Sequence, residues 1–355
     1  MRKLIVALIV LGICVFTILN IDRIKGVFSE DTRTVNNVEV KLLFREAPSE
    51  DVLIQTLLDE GIIDSDQHVK KYISDNSVDP DNYAAGKYII LSGTQLSTLI
   101  NGFQKNEFGH GNSEVKVNVV FNRCKTIEDI GMNIGKCILA DSASIVEFIK
   151  SPATLDKYKF TEQQIPAMFL PKTYEMYFDT DAEAFVQFMA EQFKAFWTEE
   201  RKEKINQVGL SYPSQVATVA SIVYSEQSKM SEEWPTIASV YLNRIRKGMK
   251  LESDPTFKFC WGDELEGVER LLNVHKEIDC PYNTYIYAGI PPGPICVVPE
   301  EVIDAVLNPE STKYIFMCGK PGGSGHNFAV TNAEHERNAS AYRKWLKKYL
   351  EDKED

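Results

Sequence analysis

The sequence predicts an α+β fold: a single N-terminal transmembrane helix, one or two small β-α-α-β modules, and a larger α+β domain filling the rest of the chain. Three observations lead there. An apolar run follows two basic residues at the N-terminus, short alternating strands interleave with pairs of amphipathic helices between Val38 and Lys150, and longer helices with a closing strand–loop–strand–helix occupy the C-terminal half. At 355 residues the chain can hold two or three domains. Its apolar share of 44% and charged share of 25% are those of a folded protein, so disorder is not the default. A net charge of −12 without a long basic run argues against nucleic acid as the main partner.

The apolar run spans Leu4 to Ile21 and is preceded by Arg2 and Lys3. Its length just suffices to cross a bilayer, and the basic residues place its N-terminal end in the cytoplasm. Residues 1–3 are then a cytoplasmic tip, residues 4–21 a single membrane span, and residues 22–37 a polar linker on the far side. A cleaved signal peptide fits less well, because no small-x-small site follows and the run leads into Asn20-Ile21-Asp22-Arg23. A lipoprotein signal at Cys14 is disfavoured by the bulky Ile13 before it. Of seven cysteines six lie outside the span, and their spacings suggest the pairs Cys124/Cys137, Cys260/Cys280 and Cys296/Cys318. With no Cys-x-x-Cys, a zinc ribbon is not expected.

From residue 38 to 105 the pattern reads strand (Glu39–Phe44), helix (Ser49–Glu60), helix (Asp66–Asp75), strand (Gly86–Leu91), then a helix opening at Ser92-Gly93-Thr94-Gln95 and running to Phe103. In element order this unit resembles a LysM-type module, which in other proteins binds glycan chains. After a Gly/Asn/His-rich break at Asn106 to Ser113, residues 114–150 repeat the theme with a strand (Glu114–Phe121) and helices near Thr126–Ile138 and Ser142–Lys150. Residues 160–350 form the larger domain, beginning with a helix from Asp181 to Phe196.

The most informative stretch is Ala220-Ser221-Ile222-Val223-Tyr224-Ser225-Glu226. Glu226 shares a helical stripe with Val223, Val219 and Val216, so it points where the core points. Ser211 is a candidate cap and Pro213 a first-turn proline, which puts Glu226 at the C-terminal end of its helix. Desolvation and the negative end of the helix dipole both raise a carboxyl pKa there. A carboxylic acid kept protonated near neutral pH is what general-acid catalysis needs; a buried glutamate satisfied by an arginine is the alternative.

A second amphipathic helix from Ser231 to Lys247 puts Trp234, Ile237, Ala238, Tyr241 and Ile245 on its apolar side, Gly248 ends it, and Asn243 and Arg244 are candidate polar lining. In Leu251-Glu252-Ser253-Asp254-Pro255-Thr256 the proline is expected to force the chain out of helix. Cys280-Pro281-Tyr282-Asn283-Thr284-Tyr285 and Gly289-Ile290-Pro291-Pro292-Gly293-Pro294-Ile295 read as stiff loops whose amides and aromatic rings suit sugar binding, although turn chemistry alone explains their prolines and glycines. The chain then reads strand (Lys313–Met317), loop (Gly319–Gly325), strand (His326–Val330) and helix (Asn332–Leu350). The loop lacks a phosphate-loop lysine and does not run into a helix, which excludes that mode of nucleotide binding. No His-Glu-x-x-His occurs, so His335 reads as a structural or hydrogen-bonding residue, while for His326, at a loop-to-strand edge, that reading and a functional one both stay open; no metal or cofactor is expected.

Taken in order, Ala220-Ser221-Ile222-Val223 with Glu226, Ala238-Ser239-Val240 to Asn243-Arg244, Asp254-Pro255-Thr256, Tyr282-Asn283-Thr284-Tyr285, Gly289 to Ile295, and His326-Asn327-Phe328 resemble the MltG (YceG-like) endolytic murein transglycosylases. Phe169-Leu170-Pro171-Lys172-Thr173-Tyr174 matches more loosely. Lys172 departs from an expected acidic residue, and Tyr224 stands where many members carry a second glutamate, which leaves Glu226 as the one glutamate of its segment. The resemblance implies cleavage of the MurNAc–GlcNAc bond in nascent peptidoglycan strands, with Glu226 as acid and then base. It implies Asn243, Asp254, Thr256, Tyr282, Asn283, Thr284, Tyr285, His326 and Phe328 as residues lining the substrate site. The membrane anchor implies a periplasmic site close to emerging strands, where contact with penicillin-binding proteins would be natural. Two rival readings stay open: a muramidase pairing Glu226 with Asp254, and a non-catalytic peptidoglycan-binding scaffold.

Overall fold

The computed structural model describes residues 32–122, 124–265, 268 and 272–354. The expected transmembrane helix at residues 4–21 lies outside them, and no described helix is long and apolar enough to cross a membrane. The architecture is mixed α and β, with three two-stranded sheets among the described residues. The chain divides after Lys116 into two compact units.

The first unit runs β1 (Val40–Phe44), α1 (Glu50–Asp59), α2 (Asp66–Asp75), β2 (Gly86–Ile90) and α3 (Leu96–Phe103). β1 and β2 pair antiparallel, from Val40 opposite Ile90 to Phe44 opposite Gly86. Ser49 and Ser65 cap the two helices by accepting from the Val52 and Gln67 N–H groups. Leu42, Leu53, Leu57, Val69, Tyr88, Ile100 and Phe103 close the core between sheet and helices. The strand–helix–helix–strand order is the one expected. Glu114, expected to open the next strand, instead bridges to Tyr88 inside this unit.

The second unit begins at Val117, within β3 (Lys116–Val120), and continues with α4 (Ile127–Ile134), α5 (Ser142–Lys150), α6 (Pro152–Tyr158), β4 (Thr173–Tyr177), α7 (Ala182–Phe196) and α8 (Glu199–Gln207). β3 pairs with β4, and Val119, Phe121, Ile130, Ile145, Phe169 and Phe185 form the core between sheet and helices. The remainder comprises α9 (Pro213–Glu226), α10 (Trp234–Arg246), α11 (Asp254–Trp261), α12 (Glu300–Leu307), the antiparallel hairpin β5 (Phe316–Gly319) and β6 (His326–Ala329), and α13 (Asn332–Glu354). Its core gathers Val216, Val219, Val223, Ile237, Leu242, Leu251, Val302 and Val306. α9 packs against both α10 and α12.

Several local expectations are corrected. Ser211 does not cap α9: Tyr212 holds that position, and the Ser211 N–H donates to Gln215 Oε1 at 2.8 Å. Pro255 does not end a helix but occupies the first turn of α11, where its missing N–H has no partner to lose. β5 starts at Phe316 rather than Lys313, because the carbonyls of Thr312 and Tyr314 accept from the Asn243 amide at 3.0 and 2.9 Å. Helices α6, α8, α11 and α12 and strand β4 add to the elements expected. Of the three suggested cysteine pairs only Cys260–Cys280 is bonded, while Cys124, Cys137, Cys296 and Cys318 are free thiols.

Candidate active site

Glu226 is the last residue of α9, and the stripe that carries it (Val216, Val219, Val223) is fully buried. The helix is fixed from outside its own turn as well. Ser221 Oγ accepts from the Ile295 N–H at 3.0 Å, which ties the Pro/Gly loop to α9. That loop is itself tightly seated, since a Cβ on Gly293 would fall against the Gln163 carbonyl. Glu226 thus projects from a rigid support to the floor of a cleft of about 230 Å³, also lined by Tyr241, Arg244, Glu252, Asp254, Tyr285, Gly319 and His326.

One oxygen of Glu226 is gripped by two hydroxyls. The Tyr241 O–H donates to Oε1 at 2.7 Å and the Ser253 O–H at 2.6 Å. Burial pushes the carboxyl above its ordinary range, the hydrogen bonds from Ser253 and Tyr241 pull the other way, and the nearby Asp254 charge adds to the rise. Tyr241 is pushed well above the ordinary phenol range by burial and then by the Glu226 charge, so it stays a donor.

Ser253 is placed by buried hydroxyls. Its N–H donates to Thr284 Oγ1 at 3.0 Å, its carbonyl accepts from the Thr256 O–H at 2.6 Å, and the Thr256 and Thr284 hydroxyls meet at 2.8 Å. Asn283, fully buried, donates through its amide to the carbonyls of Lys276 and Ile278, both at 2.9 Å, and accepts from the Tyr285 N–H at 3.0 Å. The Tyr285 hydroxyl then donates to Asp254 Oδ1, while Lys276 Nζ lies 3.0 Å from that hydroxyl and 3.2 Å from the carboxylate. The Cys260–Cys280 disulfide ties the end of α11 to this loop.

On another wall Arg244 is spent inside the protein. Nε donates to the Ile315 carbonyl at 2.6 Å, and Nη1 lies 3.0 Å from the Lys250 and Leu251 carbonyls and from Glu252 Oε2. Glu252 adopts φ +52°, the left-handed region that a non-glycine side chain enters at a cost, and such positions cluster at functional sites. His326 opens β6 and is held by Glu233: its backbone N–H donates to Oε1 and its Nδ1 lies against Oε2, both at 2.8 Å. Burial works to raise Glu233, and the His326 backbone and ring hydrogen bonds override it, leaving the carboxylate below its ordinary range.

Of the residues expected at the site, the cleft thus brings together Glu226, Asp254, Tyr285 and His326. Thr256, Asn283 and Thr284 are buried and build the turn behind Ser253 and Tyr285. Tyr282 packs on Phe259 with ring centres 4.7 Å apart, Phe328 stacks on Tyr314 at 5.6 Å, and Asn243 holds the backbone before β5; none of the three is among the cleft-lining residues. Sequence reasoning missed Tyr241, Ser253, Glu233 and Lys276. Tyr241 carried a signal, a hydroxyl on an otherwise apolar helix face, but no rule of spacing joins Ser253 or Glu233 to their partners.

A carboxyl pushed above its ordinary range by burial in an open cleft, with hydroxyl and carboxylate groups beside it, is suited to proton transfer. The profile of the YceG-like family matches residues 45–341, and the chain belongs to that family. It is 32% identical over 165 residues to an endolytic murein transglycosylase of Bacillus subtilis, a match covering 46% of this chain and 44% of the relative. It is 25% identical over 131 residues to an endolytic murein transglycosylase of Streptococcus pneumoniae, covering 36% of this chain and 24% of that one. The chain therefore spans less than half the length of these curated relatives in the matched regions. Its fold is that of a YceG-like protein from Listeria monocytogenes of known crystal structure, with a TM-score of 0.53 at 22% identity, covering 85% of this chain and 99% of that one.

Proposed function

We propose that this protein is an endolytic peptidoglycan lytic transglycosylase that cleaves the MurNAc–GlcNAc bond within glycan strands and leaves 1,6-anhydroMurNAc ends. The observation that carries the reading is Glu226, held above its ordinary pKa by burial at the floor of the cleft. Glu226 protonates the departing glycosidic oxygen. The C6 hydroxyl of the same sugar attacks C1, so the acceptor is already attached to the substrate and proximity replaces a bound water. In its simplest form the reaction needs one carboxyl, which gives its proton and then takes that of the C6 hydroxyl. Hydrolases usually need a second carboxylate free to act as base or nucleophile. Asp254 is poorly suited to that task, because its Oδ1 already accepts from Tyr285 and faces Lys276 at 3.2 Å.

Residues 4–21 anchor the chain in the inner membrane and place the site in the periplasm, where it ends the elongation of nascent strands beside penicillin-binding proteins. The apolar run after Arg2 and Lys3 supports this placement. The test is mass spectrometry of the products formed by the full chain from uncrosslinked glycan strands, with Glu226→Gln in parallel. Anhydro ends that disappear in the variant are expected. Reducing ends would mean a hydrolase, and an unchanged product yield from the variant would remove Glu226 from the chemistry.

A further inference from the structure

Glu233 is an investment that a single-acid mechanism leaves unexplained. Its side chain is nearly buried, yet both carboxylate oxygens are directed at one residue, His326, through the backbone N–H and the ring. Room for this is made by Gly325, whose φ of +77° favours glycine and where a Cβ would come within 2.3 Å of Glu233 Oε1. Lys320 lies 3.9 Å from the same oxygen and favours the charged form. A carboxylate held below its ordinary range can only accept, so Nδ1 carries a hydrogen and donates it to Oε2. The neutral imidazole then has its lone pair on Nε2, and His326 lines the same cleft as Glu226.

We propose that Glu233 positions His326 as the base that accepts the C6 hydroxyl proton through Nε2 while the anhydro ring closes. This rests on the transglycosylase reading and moves the second proton transfer from Glu226 to His326. The balance is complete without another reactant. The C1–O4 bond breaks and O4 takes the Glu226 proton; the O6–C1 bond forms and the O6 proton passes to Nε2; the imidazolium then returns a proton to Glu226 through solvent. Two groups suit the geometry better than one. Glu226 Oε1 is already occupied by the Tyr241 and Ser253 hydroxyls, so its other oxygen would have to serve the leaving O4 and then O6. His326 supplies a separate acceptor from β6, and Glu233 stabilises the imidazolium as it forms, as a carboxylate does behind a catalytic histidine. The charged groups around His326 are Glu233 before α10, Lys320 in the hairpin loop and Glu226 on α9, with Arg244, Glu252 and Asp254 on the other cleft walls.

The experiment measures kcat and KM of the full chain against pH for wild type, Glu233→Gln, His326→Gln and Glu226→Gln, reading anhydro ends by mass spectrometry. Glu233→Gln and His326→Gln are expected to lower kcat about a hundredfold with little change in KM. Imidazole in the buffer should restore activity to His326→Ala, a readout that a purely structural histidine would not give and that does not require Glu233→Gln to fold well. A kcat within about threefold of wild type in both variants, or a loss confined to KM, overturns the pair and leaves Glu226 as the base. Reducing ends from the wild type, or an active Glu226→Gln, would overturn the transglycosylase reading itself.

Discussion

Replacing Tyr241 by Phe keeps the buried ring and removes one of the two hydroxyls on Glu226 Oε1. The consequence can be worked from the geometry. A hydrogen bond to a charged group contributes about 1.5–3 kcal/mol, and each 1.36 kcal/mol is a tenfold change in an ionisation equilibrium. The lost bond favoured the anion, so the variant's carboxyl is harder to ionise. Because Ser253 remains at 2.6 Å and takes up part of the role, the lower end of that range applies. A general acid works while protonated and fails as pH rises through its pKa, so the alkaline limb of kcat/KM should move up by about one pH unit. The plateau rate should fall modestly, since a weaker acid gives up its proton less readily. The assay is the initial rate of anhydro-end release across roughly pH 5 to 9, with Ser253→Ala and the double variant completing a cycle. An alkaline limb that stays in place, or moves to lower pH, would refute the reasoning that these hydroxyls tune Glu226.

Two further perturbations probe the supports of the site. Gly325→Ala places a methyl 2.3 Å from Glu233 Oε1 at a φ of +77°; it should destabilise the protein by about 1–3 kcal/mol in thermal denaturation and lower kcat as Glu233→Gln does, and wild-type values of both would refute the fit described. Replacing Cys260 and Cys280 by Ser opens a loop of 20 residues' separation and should cost about 3 kcal/mol by the chain-entropy argument. Identical melting temperatures with and without a reductant would show that the bridge contributes nothing to stability.

How far the site was legible in the chain depends on whether its parts are local. Glu226 was readable because one helical stripe holds three valines and a carboxylate, a pattern that burial alone does not produce. The strand–helix–helix–strand order of the first unit was readable for the same reason, since period and caps lie within each segment. Tyr241 was assigned to the apolar side of α10; it is indeed buried, and what the period could not show is that its hydroxyl faces Glu226. Ser253 and Glu233 lie 27 and 93 residues from the groups they hold, Glu226 and His326, so only the fold joins them. Pro255 was misread because proline both ends helices and begins them, and the difference rests on whether the N–H it lacks would have had an acceptor within the helix. Thr256, Asn283 and Thr284 carry the right chemistry for a sugar but spend it on the backbone that aims Ser253 and Tyr285.

The same burial that makes Glu226 an acid should make it a liability for stability, with a definite sign. Its pKa in the folded protein lies above the ordinary value of 4.5. Between those two pKa values the native state binds more protons than the unfolded chain, so stability is highest below the ordinary value and falls as pH rises through the folded one. Each pH unit of separation corresponds to about 1.4 kcal/mol. Glu226→Gln cannot ionise, and its side-chain oxygen can still accept from Tyr241 and Ser253. The variant and wild type should therefore melt close together under acidic conditions, with the variant gaining as pH rises toward neutrality and beyond. Thermal denaturation of both across that range measures the gap directly. A gap that is absent at every pH, or that favours the wild type at high pH, would mean that the folded protein does not disfavour the Glu226 anion. The acid of the cleft would then have to be sought elsewhere. A gap that opens with pH would instead show that the fold disfavours the Glu226 anion, the relation expected between an active-site acid and its scaffold.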